Sequence, residues 1–231
     1  MTIKLYDLAA ADENVRFSPN CWRTRMALAH KDLEVETIPW RFTDKQIIAF
    51  TDQGKTPVIV DGDRWVVDSW SIAEYLDEAY PDRPKLFEGP QAKAHAFLIK
   101  NWIESAINPG IAKQIIVTLF GMLAEKDKPY FRETREKVFG QTLEAFCSDA
   151  PDALAGLRKA LHPLRMTIRS QPYIGGAQPS FADYLCFGAM QWARTSAPHD
   201  ILEADDPIAE WRERLLDLYG GLGRAMPAFA A

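Results

Sequence analysis

Between residues 81 and 90 the chain carries Pro81, Pro84, Gly89 and Pro90. No regular helix runs through such a stretch, because proline lacks the backbone donor and clashes with the preceding turn. The apolar pattern differs on its two sides. Upstream, strand-like and helix-like segments alternate: a strand over 3–7, a helix opened by Ser18-Pro19, a strand over 33–39, a weaker helix over 43–50. A hairpin pair, 57–60 and 64–67, then joins across Asp61-Gly62-Asp63, and a helix starts at Asp68-Ser69. Downstream, every patterned segment reads as helix: 91–107, 109–125, 129–147, 150–170, 181–195 and 208–219. The expected organisation is an α/β domain over 1–82, a linker over 83–90 and an all-helical domain over 91–231, with no internal repeat.

Composition removes several classes of function. The net charge of −5 among 231 residues argues against nucleic acid as the main partner, since phosphate binding needs a basic face. No apolar run approaches the length of a membrane span, and the start of the chain lacks a secretory pattern, so a cytoplasmic protein is expected. The three cysteines, Cys21, Cys147 and Cys186, are widely separated. No Cys/His group has zinc-ligand spacing, and no metal site is expected.

Three features carry chemistry. Ser18-Pro19-Asn20-Cys21 stands at the mouth of a helix, where unpaired N–H groups and a partial positive charge stabilise an anion such as a thiolate. A Ser18 hydroxyl there either donates to the anion or simply caps the helix. Gly54-Lys55-Thr56-Pro57 places a proline at the entrance of a hairpin strand. A cis Thr56–Pro57 bond would turn the Thr56 backbone outward toward an extended peptide; a trans bond would make Pro57 an ordinary edge residue. Asp68-Ser69 pairs a carboxylate with a hydroxyl at a helix start, which suits an α-amino acid head group or a plain cap.

The order and separation of these features resemble the cytosolic glutathione transferase superfamily. The match runs through Ser18-Pro19, Thr56-Pro57 and Asp68-Ser69-x-x-Ile72-x-x-Tyr75-Leu76, and on to the capping box Ser180-Phe181-Ala182-Asp183 after Tyr173-Ile174-Gly175-Gly176. The resemblance implies a thioredoxin-like N-terminal domain, a C-terminal helical bundle and glutathione as co-substrate. It implies a cis Pro57, the cysteinyl backbone of glutathione on Thr56, and its γ-glutamyl end on Asp68 and Ser69. Ser18 is then the activating hydroxyl, with the Asn20 amide in reach of the same sulfur. Lys55, Trp40 or Arg41 would meet the glycyl carboxylate. A homodimer and a role in detoxification are implied in the same way.

More narrowly, residues 17–25, Trp65-Val66-Val67-Asp68-Ser69-Trp70 and Leu86-Phe87-Glu88-Gly89-Pro90 resemble the β-etherase-type branch, bacterial β-aryl etherases and related fungal transferases. The expected reaction is attack by the glutathione thiol on an apolar, aromatic electrophile, with aryl ether cleavage as one form. Trp102, Ile103, Asn108, Ile111 and Ile115 are candidates for the second-substrate pocket, although residues at helical spacing are more often plain core. The rival readings are a glutathione-dependent thiol reductase using Cys21 and a non-catalytic ligand-binding protein of the same fold.

Overall fold

The computed structural model describes residues 2–229. Strand β1 (Ile3–Leu8) is central because its alternate residues Ile3 and Leu5 are fully buried. It pairs in parallel with β2 (Val35–Trp40), from Ile3 opposite Val35 to Leu8 opposite Trp40, and antiparallel with β3 (Val58–Asp61). The hairpin partner β4 (Arg64–Val67) completes the order β2-β1-β3-β4. Gly62 supplies the positive φ, +59°, that the tight β3–β4 loop requires.

Helix α1 (Pro19–His30) crosses from β1 to β2, and α2 (Ser69–Ala79) follows β4. A 3₁₀ segment, Lys45–Thr51, stands where the weaker helix was expected. This is a thioredoxin-like domain. A helical domain follows it.

Helix α3 (Pro90–Trp102) runs through one wider π turn, Ile103–Ile107, into α4 (Asn108–Met122). The sequence pattern suggests two helices separated at Pro109. The widened turn instead accommodates the missing proline donor without breaking the rod. The single helix expected over 129–147 is two: α5 (Lys128–Phe139) ends where Gly140 turns left-handed at φ +68°, and the short α6 (Leu143–Phe146) restarts from a Thr142 cap. Likewise 150–170 splits into α7 (Ala150–Ala160) and α8 (His162–Ser170), with Pro163 at the break. Helix α9 (Phe181–Ser196) is buried along nearly its whole length, and α10 (Pro207–Gly221) lies outside it.

Helix α9 is also the buttress of α1. The Trp22 indole meets the Phe187 ring edge-on at 6.1 Å. At Gly188 any Cβ would fall 2.4 Å from the carbonyl oxygen of Pro19, so only glycine lets α9 approach the first turn of α1 this closely. Fully buried Lys31 holds Asp77 at 2.6 Å, and Asp77 accepts from the amides of Leu86 and Phe87 in the connecting segment. The two domains therefore meet through α1 and fix its start in place. No helix among the described residues is long and apolar enough to cross a membrane.

Candidate active site

Helix α1 begins with an extended Ser18 at φ −63° and Pro19 in the first turn, so the chain arrives preset for helix. Ser18 is 5% exposed, and its Oγ accepts from the Cys21 amide at 3.3 Å. The same hydroxyl lies within reach of the Cys21 thiol. No acidic residue occupies the first turn, so the electropositive end of the helix is not neutralised by its own sequence. Asn20 lies exposed one residue further along.

The Thr56–Pro57 bond is cis. Pro57 is buried and Thr56 half-buried, while Lys55 is exposed. A reciprocal pair of bonds holds that loop: the Lys55 amide donates to Gln53 Oε1, and Gln53 Nε2 donates to the Lys55 carbonyl, both at 2.7 Å. Immediately past β4, the Asp68 amide donates to the Pro57 carbonyl at 3.3 Å. Asp68 has a φ of +72°, unusual for a residue with a side chain. Its carboxylate caps α2 by accepting from the amides of Trp70 at 2.9 Å and Ser71 at 3.2 Å. Ser69 behind it is buried. The pairing of Val58 with Val67 sets these two junctions side by side.

Ser18 and Thr56 converge on one atom. The Cys21 thiol lies within reach of both hydroxyls. Cys21 is fully buried, and burial first, then the nearby Asp7 carboxylate, push its pKa far up. A thiol sealed and held protonated is no nucleophile, so the structure gives no support to a reductase working through Cys21. Asp7, also fully buried, lies 3.0 Å from Arg25 Nε and 3.6 Å from Arg16 Nε, and burial raises its pKa.

The candidates for the second pocket fare differently. Ile103, Ile111 and Ile115 have no exposure and belong to the main hydrophobic core. They are packing residues and do not line a pocket, because their side of the α3–α4 rod faces the other helices. Trp102 is half-buried against the same core, and Asn108 buries an Oδ1 that has no partner.

The placement of Lys45 was not legible in the sequence. Its Nζ donates to the Gly54 carbonyl at 2.6 Å and lies over the rings of Trp40 at 5.3 Å and Tyr130 at 5.0 Å. Nothing in the spacing of Trp40, Lys45 and Tyr130 signals that they meet. Trp40 Nε1 and Arg41 are occupied by protein carbonyls: Trp40 by Asp44, Arg41 by Ala10 and Ala11. Among the described residues no group of histidine, cysteine and carboxylate side chains could hold a metal ion.

A four-stranded sheet entered by a cis proline and joined to a helical bundle defines the class: a thioredoxin-like domain followed by a helical domain. Family models of the "Glutathione S-transferase, C-terminal domain" and "Glutathione S-transferase, N-terminal domain" match residues 94–218 and 14–84. The chain belongs to the glutathione S-transferase family.

Among its relatives, glutathione transferase omega-1 of Caenorhabditis elegans is 26% identical over 176 residues, covering 75% of this chain and 59% of that protein. Glutathione S-transferase Z1 of Arabidopsis thaliana is 35% identical over 92 residues, covering 38% of this chain and 42% of that protein. The matched stretch thus spans less than two thirds of either relative. The crystal structure of a glutathione S-transferase of Ceriporiopsis subvermispora, in complex with glutathione, superposes with a TM-score of 0.79 at 21% identity. It covers 95% of this chain and 98% of that one. At that identity the likeness is one of fold.

Proposed function

We propose that the protein is a glutathione transferase that activates the glutathione thiol at the start of α1. The γ-glutamyl end lies at Asp68 and Ser69, the cysteinyl backbone pairs with Thr56 beside Pro57, and Lys55 stands near the glycyl end. The Ser18 hydroxyl donates to the sulfur, with the Asn20 amide as a second donor. These bonds and the helix dipole favour the thiolate over the thiol. The thiol proton leaves to solvent. The thiolate forms a carbon–sulfur bond to an apolar, aromatic electrophile, and the leaving group departs with the electrons of the broken bond. An aryl oxide is one such leaving group, which makes ether cleavage of the β-etherase type one form of the reaction.

A cytoplasmic homodimer built from a domain over 1–82, a linker over 83–90 and a helical domain over 91–231 belongs to this reading. The observation that supports it most is the start of α1: a neutral serine cap and Pro19, over a first turn without acid.

The experiment is Ser18→Ala, assayed with glutathione and a panel of aryl halides and aryl ethers. Turnover should fall by about 10² or more, the usual effect of removing one donor to a developing anion, while glutathione affinity changes far less. Undiminished turnover removes Ser18 from the chemistry. Tight glutathione binding without conjugation of any electrophile would favour a ligand-binding protein instead.

A further inference from the structure

Helix α10 ends in a left-handed turn at Tyr219, Gly220 and Gly221, and residues 222–229 then run back along α9 as a strap. Gln191 Nε2 donates to the Gly223 carbonyl at 2.8 Å, and Arg194 Nη1 donates to the Met226 carbonyl at 2.6 Å. The Phe229 amide donates to the Arg194 carbonyl at 3.0 Å. A Cβ on Gly223 would stand 2.7 Å from the Phe187 ring, the ring on which Trp22 rests. The strap is thus pressed against the contact through which α9 buttresses α1.

Met226 extends that contact to the start of α1. Its side chain is buried, and its Sδ accepts from the Arg16 amide at 3.3 Å, across 210 positions of sequence. Among the described residues this thioether is the acceptor for that N–H. Arg16 is itself buried and held at its other polar groups. Its carbonyl accepts from Trp22 Nε1 at 2.8 Å, and its Nε lies 3.6 Å from the buried Asp7 carboxylate. Ser18 follows two residues on, and its carbonyl accepts from the Trp22 amide at 3.0 Å.

A thioether is a weak acceptor, yet a buried peptide N–H is a group that folded chains rarely leave unpaired. An apolar side chain of the same volume would fill the space and strand the donor. The least costly relief is a shift of residues 15–17 toward another acceptor. Ser18 stands directly behind them and would move too. Misplacing a reacting group by about 1 Å can cost on the order of 10² in rate.

We propose that Met226 is a positioning residue for Ser18. Its thioether, held against α9 through Arg194, fixes the Arg16 peptide and with it the place of the Ser18 hydroxyl. The proposal rests on the transferase reading above for what Ser18 does. It adds a dependence of the start of α1 on the segment that follows α10.

The test compares Met226→Leu and Met226→Gln with the wild-type full chain. Leucine keeps the volume and loses the acceptor; glutamine has similar reach and an amide oxygen that can accept. The readouts are hydrogen exchange over residues 15–22 and turnover of glutathione with 1-chloro-2,4-dinitrobenzene. In Met226→Leu exchange over 15–22 should quicken about tenfold, the effect of one lost buried bond, while 181–190 stays as protected as in wild type. The kcat should fall roughly tenfold with the KM for glutathione little changed. Met226→Gln should recover most of both losses. Wild-type exchange and kcat in Met226→Leu overturn the proposal. Equal losses in the two variants overturn it as well, because packing and not the acceptor would then be at work. So does faster exchange with kcat unchanged, since the Arg16 peptide would not govern Ser18. Exchange is independent of the chemistry. The expected exchange pattern in a protein that conjugates nothing supports the hold of Met226 on the start of α1 and removes only the transferase reading.

Discussion

Two helix starts in this molecule use the same elementary physics and end in opposite conditions. At α9 the Asp183 carboxylate, fully buried, accepts from the amides of Ile174 at 2.7 Å, Gly175 at 3.0 Å and Ser180 at 3.0 Å. It also takes the Ser180 hydroxyl at 3.2 Å and Trp211 Nε1 at 3.1 Å. All of these donors find their acceptor within the chain. At α1 the cap is a neutral serine, the first turn holds no acid, and Asn20 projects into solvent. A helix end closed by its own carboxylate is scaffold. One whose first turn holds no acid keeps its partial positive charge, on which the proposed thiolate role depends.

The sharpest way to break this comparison is to remove Asp183. Asp183→Ala leaves its donors buried without an acceptor and should cost about 3–5 kcal/mol, the usual effect of stripping one partner from a buried polar network. For a chain of this size that is a fall of roughly 10 °C in melting temperature. A melting curve within a degree or two of wild type would deny α9 its structural role. Ser18→Ala should behave conversely. It loses only a cap, about 1 kcal/mol of stability, against its larger effect on turnover.

Gly188→Ala links the two ends. Its methyl group would press on the Pro19 carbonyl, and overpacking of this sort costs about 1–3 kcal/mol. Activity and melting temperature should fall together. Lost stability with full activity would show that α9 does not set the position of α1.

Acid stability offers a smaller effect. His30, at the end of α1, contacts the hydroxyls of Tyr184 and Tyr219 and the Lys85 carbonyl, at 2.7, 3.1 and 3.1 Å. Burial lowers its pKa below the ordinary value of 6.5. The unfolded chain therefore takes up the proton first, so this contribution is present above pH 6.5 and fades as pH falls below it. Denaturant midpoints measured from pH 7.5 to 5 should drop less steeply in His30→Gln than in wild type. Parallel slopes would exclude His30 as a source of the acid limb. Cys21→Ala should change least, with turnover retained, as befits a sealed thiol; loss of catalysis with the fold intact would reopen thiol chemistry.

Much of the fold was legible because local signals agreed. Ser18-Pro19, Asp61-Gly62 and Asp68-Ser69 each mark an element boundary by backbone chemistry alone, and all three fall where the structure has them. Helix lengths in the second domain were not. Gly140 and Pro163 divide helices that hydrophobic periodicity joins, and a π turn joins helices that Pro109 divides on paper. The helix caps at Ser18 and Asp68 were readable from adjacent residues. The meeting of Phe42 and Lys45 with Phe131 and Tyr130 was not, since it spans 85 residues or more and follows no period. Ile111 and Ile115 show the converse failure: a helix face turned toward a cleft and one turned toward the core share the same repeat.

The most direct test is a spectroscopic titration of glutathione bound to the wild-type protein and to Ser18→Ala, following the thiolate absorbance. A midpoint near neutral pH in the wild type, moving back toward the ordinary cysteine value of about 8.5 in the variant, is the predicted result. A bound thiol that ionises at the same pH as free glutathione, or one unaffected by loss of the hydroxyl, would contradict it.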